Sequence, residues 1–283
     1  ACGLKMTFTL SSKLFSHKES ARVMGLLTMA FAITPGLGVY LGGILVTRFN
    51  WTGPFYLMVI YGIAIFVLAN KLPEMYTSRD YLALKLENII KNYILQLKNT
   101  KVIFGGLLVG LGSSVVYVFA AISPFIAINK MHLTPSTFGT YNFIPCIGIL
   151  IGSIASNYYG KIWQPQKSLK FGLFISFLGV IILAMMLYFK PDMAISLFLP
   201  MLVVYLGLSF VFGNAAALAL HTSKDKGNAS AMMSFINMGS AFVMVSITGW
   251  FNISNLVDLP IVYALLIGAG FIWYNVVCKA KSK

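Results

Sequence analysis

The chain has 283 residues, 58% of them hydrophobic and only 10% charged, with a mean hydropathy of +0.83. A soluble domain carries about 25% charged residues, so this chain could not cover a water-facing surface and needs lipid as its solvent. Its net charge of +14 would suggest nucleic acid on a soluble protein, but the basic residues sit between apolar runs, as in topology signals; the expected partner is the lipid bilayer, not nucleic acid.

The first stretch, ACGLKMTFTL, reads as the end of a helix already under way, which predicts a truncated chain. No charged region followed by an apolar core opens it, so no signal peptide is expected. A polar, basic connection follows over 11–22, then apolar segments at about 23–47 and 53–70. Residues 71–101 form the one long connection. In it Leu82, Leu86, Ile89, Ile90, Tyr93 and Leu97 recur at helical spacing, with Lys85, Asn88, Lys91, Asn92 and Gln96 opposite. That pattern predicts a basic amphipathic helix lying on the cytoplasmic membrane surface. Six more apolar segments follow, at about 102–127, 137–159, 169–189, 194–219, 229–250 and 257–278. Each is long enough to cross a hydrocarbon core of ~30 Å, and none holds a carboxylate in its middle. Backbone groups in lipid must pair within the segment, which predicts helices, and the alternation of a barrel is absent.

Basic residues fix the orientation. With 11–22 in the cytoplasm, most of the 21 Lys and Arg residues fall inside, and only Arg48, Lys130 and Lys190 fall outside, with Lys5 in the partial helix. Positive charge favours the inner side, so the C-terminus is expected in the cytoplasm and the protein in the inner membrane. Trp51 and Trp250 at outer ends and Trp163 in an inner loop agree, since indoles prefer headgroup depth. The predicted fold is all-α: eight full spans plus a partial one, with twelve in an intact protein. Residues 1–70 would end an N-terminal six-helix half, 71–101 would be the linker, and 102–283 would form a C-terminal six-helix half.

The segment 34–43, TPGLGVYLGG, carries Pro35, Gly38, Gly42 and Gly43, with Gly36 nearby. Proline kinks a helix, and glycines four apart let a neighbour approach closely. Pro145, Gly148 and Gly152 repeat the idea in 137–159. The two segments read either as ordinary membrane packing or as a pair of kinked helices at the junction of two rocking halves. TPGLGVYLGG, followed by Phe49, Asn50, Trp51 and Phe55, resembles the antiporter signature in the fifth helix of major facilitator drug exporters, the Bcr/CflA branch most of all. Three later stretches add to the resemblance: Ser123-Pro124-Phe125; Phe138-Gly139 with Asn142-Phe143; and Asn214 to Leu220 followed by Gly227-Asn228-Ala229-Ser230-Ala231.

That resemblance implies a twelve-helix, proton-coupled exporter of drugs or small metabolites, expected as a monomer, with protons and a small-molecule substrate as partners. Val39 stands where such exporters often carry a second proline. Phe8 and Ser12-Lys13 stand where an Arg and an Arg-Asp pair are usual. Either proton coupling is absent or it uses groups upstream of residue 1. All seven acids lie in loops or at helix ends, so none is an intramembrane relay. Cys2, Cys146 and Cys278 show no disulfide or metal spacing, and His17, His132 and His221 have no metal partners in view. No nucleophile–base pair or phosphate loop is present, so no enzyme, cofactor or metal is expected.

Inward stripes at helical spacing supply the candidate cavity: Ser113, Tyr117, Ala120 and Pro124; Tyr141 with Asn142, Pro145, Gly148 and Gly152; Tyr205 and Ser209; and Ser230, Ser234 and Asn237. The resemblance favours Ser113, Tyr117, Tyr205 and Ser209, because the first and fourth helices of each half line the family's central cavity. Such a lining would suit apolar or cationic solutes. An efflux antiporter is the leading reading; an uptake symporter of the same fold and a non-transporting remnant stay open.

Overall fold

The structure is a computed structural model that describes residues 17–71, 85–221, 226–250, 256 and 258–279. The partial helix at 1–10, with Lys5 and Phe8, lies outside the described residues, as does the linker segment 72–84. Among the described residues the secondary structure is helical, without strands. Helix α1 runs His17–Phe49 and α2 Gly53–Ala69; α3 is Leu86–Leu97; α4 is Thr100–Phe125 and α5 Pro135–Tyr141. Then come α6 (Phe143–Tyr159), α7 (Pro165–Phe189), α8 (Ala194–His221), α9 (Lys226–Trp250) and α10 (Asp258–Lys279). Among the described residues, seven stretches are long and apolar enough to cross a membrane, the first of them joining α1 and α2 as Ile33–Ala69.

Local chemistry sets the boundaries. The α1–α2 junction is a 3-10 turn at Asn50–Thr52, with Asn50 at a φ of 57°. It brings Gly53 back against α1, where a Cβ would lie 2.8 Å from the Leu45 carbonyl oxygen. Asn99 caps α4 by accepting from the Lys101 amide at 3.2 Å, and Thr134 caps α5 ahead of Pro135. Both follow from the side-chain oxygen that an N-cap residue offers to orphan amides. The predicted segment 137–159 divides at Asn142 into α5 and α6, because Pro145 has no N–H to give the Tyr141 carbonyl. Helix α4 carries Pro124 in its last turn and continues as a π-helix over Ile126–Lys130. Pro35, by contrast, is carried inside an unbroken α1. That helix begins at His17, so the polar connection expected over 11–22 is already helical in its second half.

Helix α8 is the hub. Leu197, Met201, Val204, Leu208, Val211 and Ala215 recur every three or four residues and are buried, packing toward α4, α6 and α7. Leucine is no more apolar than a lipid tail, so hydrophobic burial alone cannot hold helices together here. Close backbone approach at small residues does so. At the α7–α8 crossing a Cβ on Gly172 would lie 2.6 Å from the Gly207 carbonyl oxygen, and Ser176 donates to the Val204 carbonyl at 3.1 Å. Gly105 meets Ala219 and Ala215 of α8 in the same way, and Gly110 meets Ser240 of α9. Helix α10 packs on α7 and α4, burying Leu259 and Tyr263. Helix α2 packs on α1 and the Asn50–Thr52 turn and leaves Phe55 to Ala69 exposed.

The amphipathic helix is present as α3, but its buried side is not the one that the sequence pattern suggests. Tyr93 is half-buried and Gln96 buried, while Ile90, Ile94 and Leu97 are exposed. Tyr93 packs beside Met232 and Met233 of α9 and Val102 of α4. At 100° per residue the apolar arc of α3 is wide, and among the described side chains the bundle covers Tyr93 and Gln96.

The crossings give a direct test. Gly172→Ala should destabilise the protein by about 1–3 kcal/mol, as overpacking does, and lower its melting temperature in detergent. Gly213→Ala, where a Cβ meets nothing within 4 Å, should be neutral or gain up to ~1 kcal/mol from helix propensity. Equal shifts in the two variants would refute the backbone seam between α7 and α8.

Candidate functional site

Two features stand out: a seam between α1 and α5–α6, and an open aromatic face on α4 and α9. In the seam, a Cβ on Gly36 would lie 2.8 Å from Sγ and 3.4 Å from Cβ of Cys146, and 3.3 Å from the Phe143 ring. One on Gly43 would run into the carbonyl oxygen of Pro135. From the other side, one on Gly139 would lie 2.9 Å from Cα of Tyr40, whose ring packs at 5.3 Å against Phe143. Backbone meets backbone at Gly43 and Gly139, whereas Gly36 makes room for the Cys146 and Phe143 side chains.

The glycines in the seam are not the pair that the four-residue spacing picks out. Gly38 and Gly42 have nothing within 4 Å of a Cβ. A rotation of about 100° per residue explains this: Gly36 and Gly43, seven apart, share one face, and Gly38 and Gly42 share the opposite one. The same geometry places Gly148 and Gly152. They face α8, where Gly148 meets the Leu202 backbone and Gly152 lies 2.9 Å from Cα of Leu206. Cys146 and Phe143 sit on the other side of α6, facing α1. Pro145 is buried between them.

Several candidate cavity residues are held inside the bundle. Tyr205 is 6% exposed and its ring meets Phe119 edge-on at 6.1 Å. Tyr141 stacks at 5.6 Å on Phe198, which also meets Phe119 and Phe138. The Ser209 hydroxyl lies 3.0 Å from the Tyr205 carbonyl oxygen and 3.2 Å from that of Ile149, as a donor to both. It fastens α8 to α6 beside Gly152. The Asn142 amide donates to the Phe138 carbonyl at 3.0 Å, closing the turn between α5 and α6.

Tyr117 is different. It is 44% exposed, and its hydroxyl lies 3.9 Å from Sδ of Met238. Phe119, only two residues on, points to Tyr205 because two residues turn a helix by about 200°. Tyr117 and Tyr205, which the resemblance groups together, therefore occupy different sides of the bundle. Ser113 lies one turn below Tyr117 and is buried. On α9, Phe235, Met238 and Phe242 follow one another at helical spacing and are exposed, with Asn237 alongside; its Oδ1 is buried without a partner among the described residues. Tyr117 and Met238 both fall near the middle of their spans, Thr100–Lys130 and Gly227–Trp250. An aromatic and thioether face of this kind contacts apolar bodies, and its rings attract organic cations. Among the described residues the acids lie on α1 (Glu19), on α3 (Glu87), between α7 and α8 (Asp192) and at the start of α10 (Asp258), none of them on α4 or α9. No group of three His, Cys, Asp or Glu side chains able to hold a metal occurs among the described residues.

Sequence reading had no means to select Met238 or Phe235, since Met and Phe fill the whole chain. Cys146 was legible only as a small buried residue, and the sevenfold spacing of Gly36 and Gly43 was the unused signal for the seam.

A cysteine at position 36 tests that seam. With Cys2 and Cys278 replaced by Ser, Gly36→Cys should close a disulfide to Cys146 on mild oxidation. The 3.4 Å between the two Cβ positions is near the ~3.8 Å mean for such bonds. Cleavage at a protease site placed in the 72–84 connection should then leave the fragments joined until reduction. Gly38→Cys should give separate fragments; joined fragments there, or none from Gly36→Cys, would refute the geometry.

Comparison with known proteins follows the same lines. Residues 1–248 match the sequence profile of the Major Facilitator Superfamily. The chain is 22% identical over 237 residues to the chloramphenicol resistance protein CraA of Acinetobacter baumannii, covering 82% of this chain and 56% of that protein. It is 22% identical over 189 residues to a bicyclomycin resistance protein homolog of Haemophilus influenzae, covering 63% of this chain and 45% of the relative. It is 30% identical over 138 residues to the multidrug transporter MdfA of Edwardsiella ictaluri, covering 48% and 33%. The chain thus spans about half the length, or less, of these curated relatives. A profile match over most of the chain, on an all-helical bundle of membrane-spanning length, shows that the chain belongs to the Major Facilitator Superfamily.

Proposed function

We infer that this chain serves proton-coupled efflux of drugs or small metabolites across the inner membrane, by alternating access. The observation that carries the reading is the glycine seam, in which α1 meets the α5 backbone at Gly43 and Gly139 and seats the Cys146 and Phe143 side chains of α6 at Gly36. Close approach through glycines would let two helix groups rock against each other while excluding water, which a proton-coupled exporter needs. In this reading 1–70 ends the N-terminal half, 71–101 links along the inner surface, and 102–283 is the C-terminal half. Basic residues place the linker and the C-terminus in the cytoplasm. The substrate would rest mid-membrane against Tyr117, Met238 and Phe235, the depth at which transporters of this architecture bind. The printed names of the relatives, chloramphenicol and bicyclomycin resistance among them, support export of uncharged or cationic antibiotics.

The complete reading frame, expressed in a bacterium stripped of its own exporters, should raise resistance to one or more such drugs, and a protonophore should abolish the effect. Tyr117→Ala should cut efflux about tenfold, equivalent to a loss of roughly 1.4 kcal/mol, while Tyr117→Phe should keep most of it. Unchanged susceptibility despite confirmed membrane insertion would overturn the reading. Increased drug accumulation would point to uptake by the same fold.

A further inference from the structure

The connection between α6 and α7 holds a side-chain cluster that transport does not use. Trp163 stacks on Tyr159 at 4.5 Å with the rings 26° apart, and meets Phe171 edge-on at 5.3 Å. Phe171 in turn packs on Phe210 of α8 at 5.3 Å. The Tyr274 hydroxyl of α10 donates to the Gln166 carbonyl at 3.2 Å, tying down the first turn of α7. The indole is therefore held directly by α6 and α7, which α8 and α10 support from behind. Lys167 Nζ lies 4.8 Å over its ring, and Lys170 is exposed one turn further on.

We propose that Trp163, Lys167 and Lys170, with Lys161 in the loop, form a seat for the phosphodiester headgroup of an anionic phospholipid. Depth comes from the fold: α6 ends its span at Tyr159 and α7 begins at Pro165, so the loop lies where hydrocarbon gives way to headgroups. Charge is one-sided, since residues 158–174 contain lysines and no acid. The flanking Tyr158 and Ile162 are exposed apolar groups suited to the glycerol and first acyl carbons. A lysine held against an indole face keeps N–H groups free for phosphate, and the fixed ring limits the freedom lost on binding.

Native mass spectrometry of the full protein, released from mixed phosphatidylglycerol and phosphatidylcholine nanodiscs, tests the seat. The protein should retain phosphatidylglycerol preferentially. Lys167→Gln with Lys170→Gln should cut that excess by about fivefold for each lysine, while Lys167→Arg with Lys170→Arg should keep it, separating charge from misfolding. Lys130→Gln with Lys190→Gln, at the opposite ends of the spans, should leave it unchanged. Equal retention of the two lipids by the natural protein, or an unaltered excess in the glutamine variant, would overturn the proposal. So would displacement of phosphatidylglycerol by millimolar inorganic phosphate, which would assign the lysines to a free anion instead.

Discussion

Everything in this bundle depends on one constraint: helices in lipid gain nothing by hiding leucine from leucine, so they are held where backbones come into contact. The contacts fall at glycines. Gly172 and Gly207 press α7 against α8, Gly148 and Gly152 press α6 against α8, and Gly105 brings α4 to the same helix. Helix α8 becomes the axis of the assembly because it offers small residues or bare backbone to three neighbours, while its large side chains fill the gaps between. Serine completes the arrangement. A hydroxyl at a crossing can satisfy itself on a carbonyl across the interface, as Ser176 does on Val204, so it adds a bond without demanding water.

The same constraint decides which polar groups remain free for a solute. Ser114, Ser234 and Ser240 each donate to the carbonyl four residues earlier in their own helix, and Ser209 shares its proton between α8 and α6. Tyr141 and Tyr205 are locked into an aromatic cluster around Phe119 and Phe198. Groups that look alike in a hydropathy plot thus divide into those that join helices and those that face outward. Tyr117 is of the second kind, with its hydroxyl on a polarizable sulfur rather than on a strong acceptor, an arrangement that costs little to exchange for a ligand.

A glycine seam and an aromatic face complement each other mechanically. At Gly43 and Gly139 the missing Cβ brings α1 and α5 into backbone contact, while Gly36 seats the Cys146 thiol and the Phe143 ring of α6. The break at Asn142 and the π-helical end of α4 lie near that seam in sequence order, where Pro145 and Pro124 have removed backbone donors.

The sequence by itself determined the solvent, the helical class, the apolar segments, and the amphipathic character of α3. These follow from composition, span length and charge placement, which act locally along the chain. Proline positions such as Pro145 also announced where a helix would break. Only the tertiary structure decided which face of each helix meets which neighbour. The hydrophobic pattern could not, because lipid and protein are equally apolar surroundings and every face of a span such as α2 may be leucine-like. So Gly36 and Gly43, rather than Gly38 and Gly42, mark the α1 contact, Gln96 turns inward on α3, and Tyr117 parts from Tyr205. In each case the deciding quantity is an angle around a helix relative to a partner, which exists only once the helices have packed.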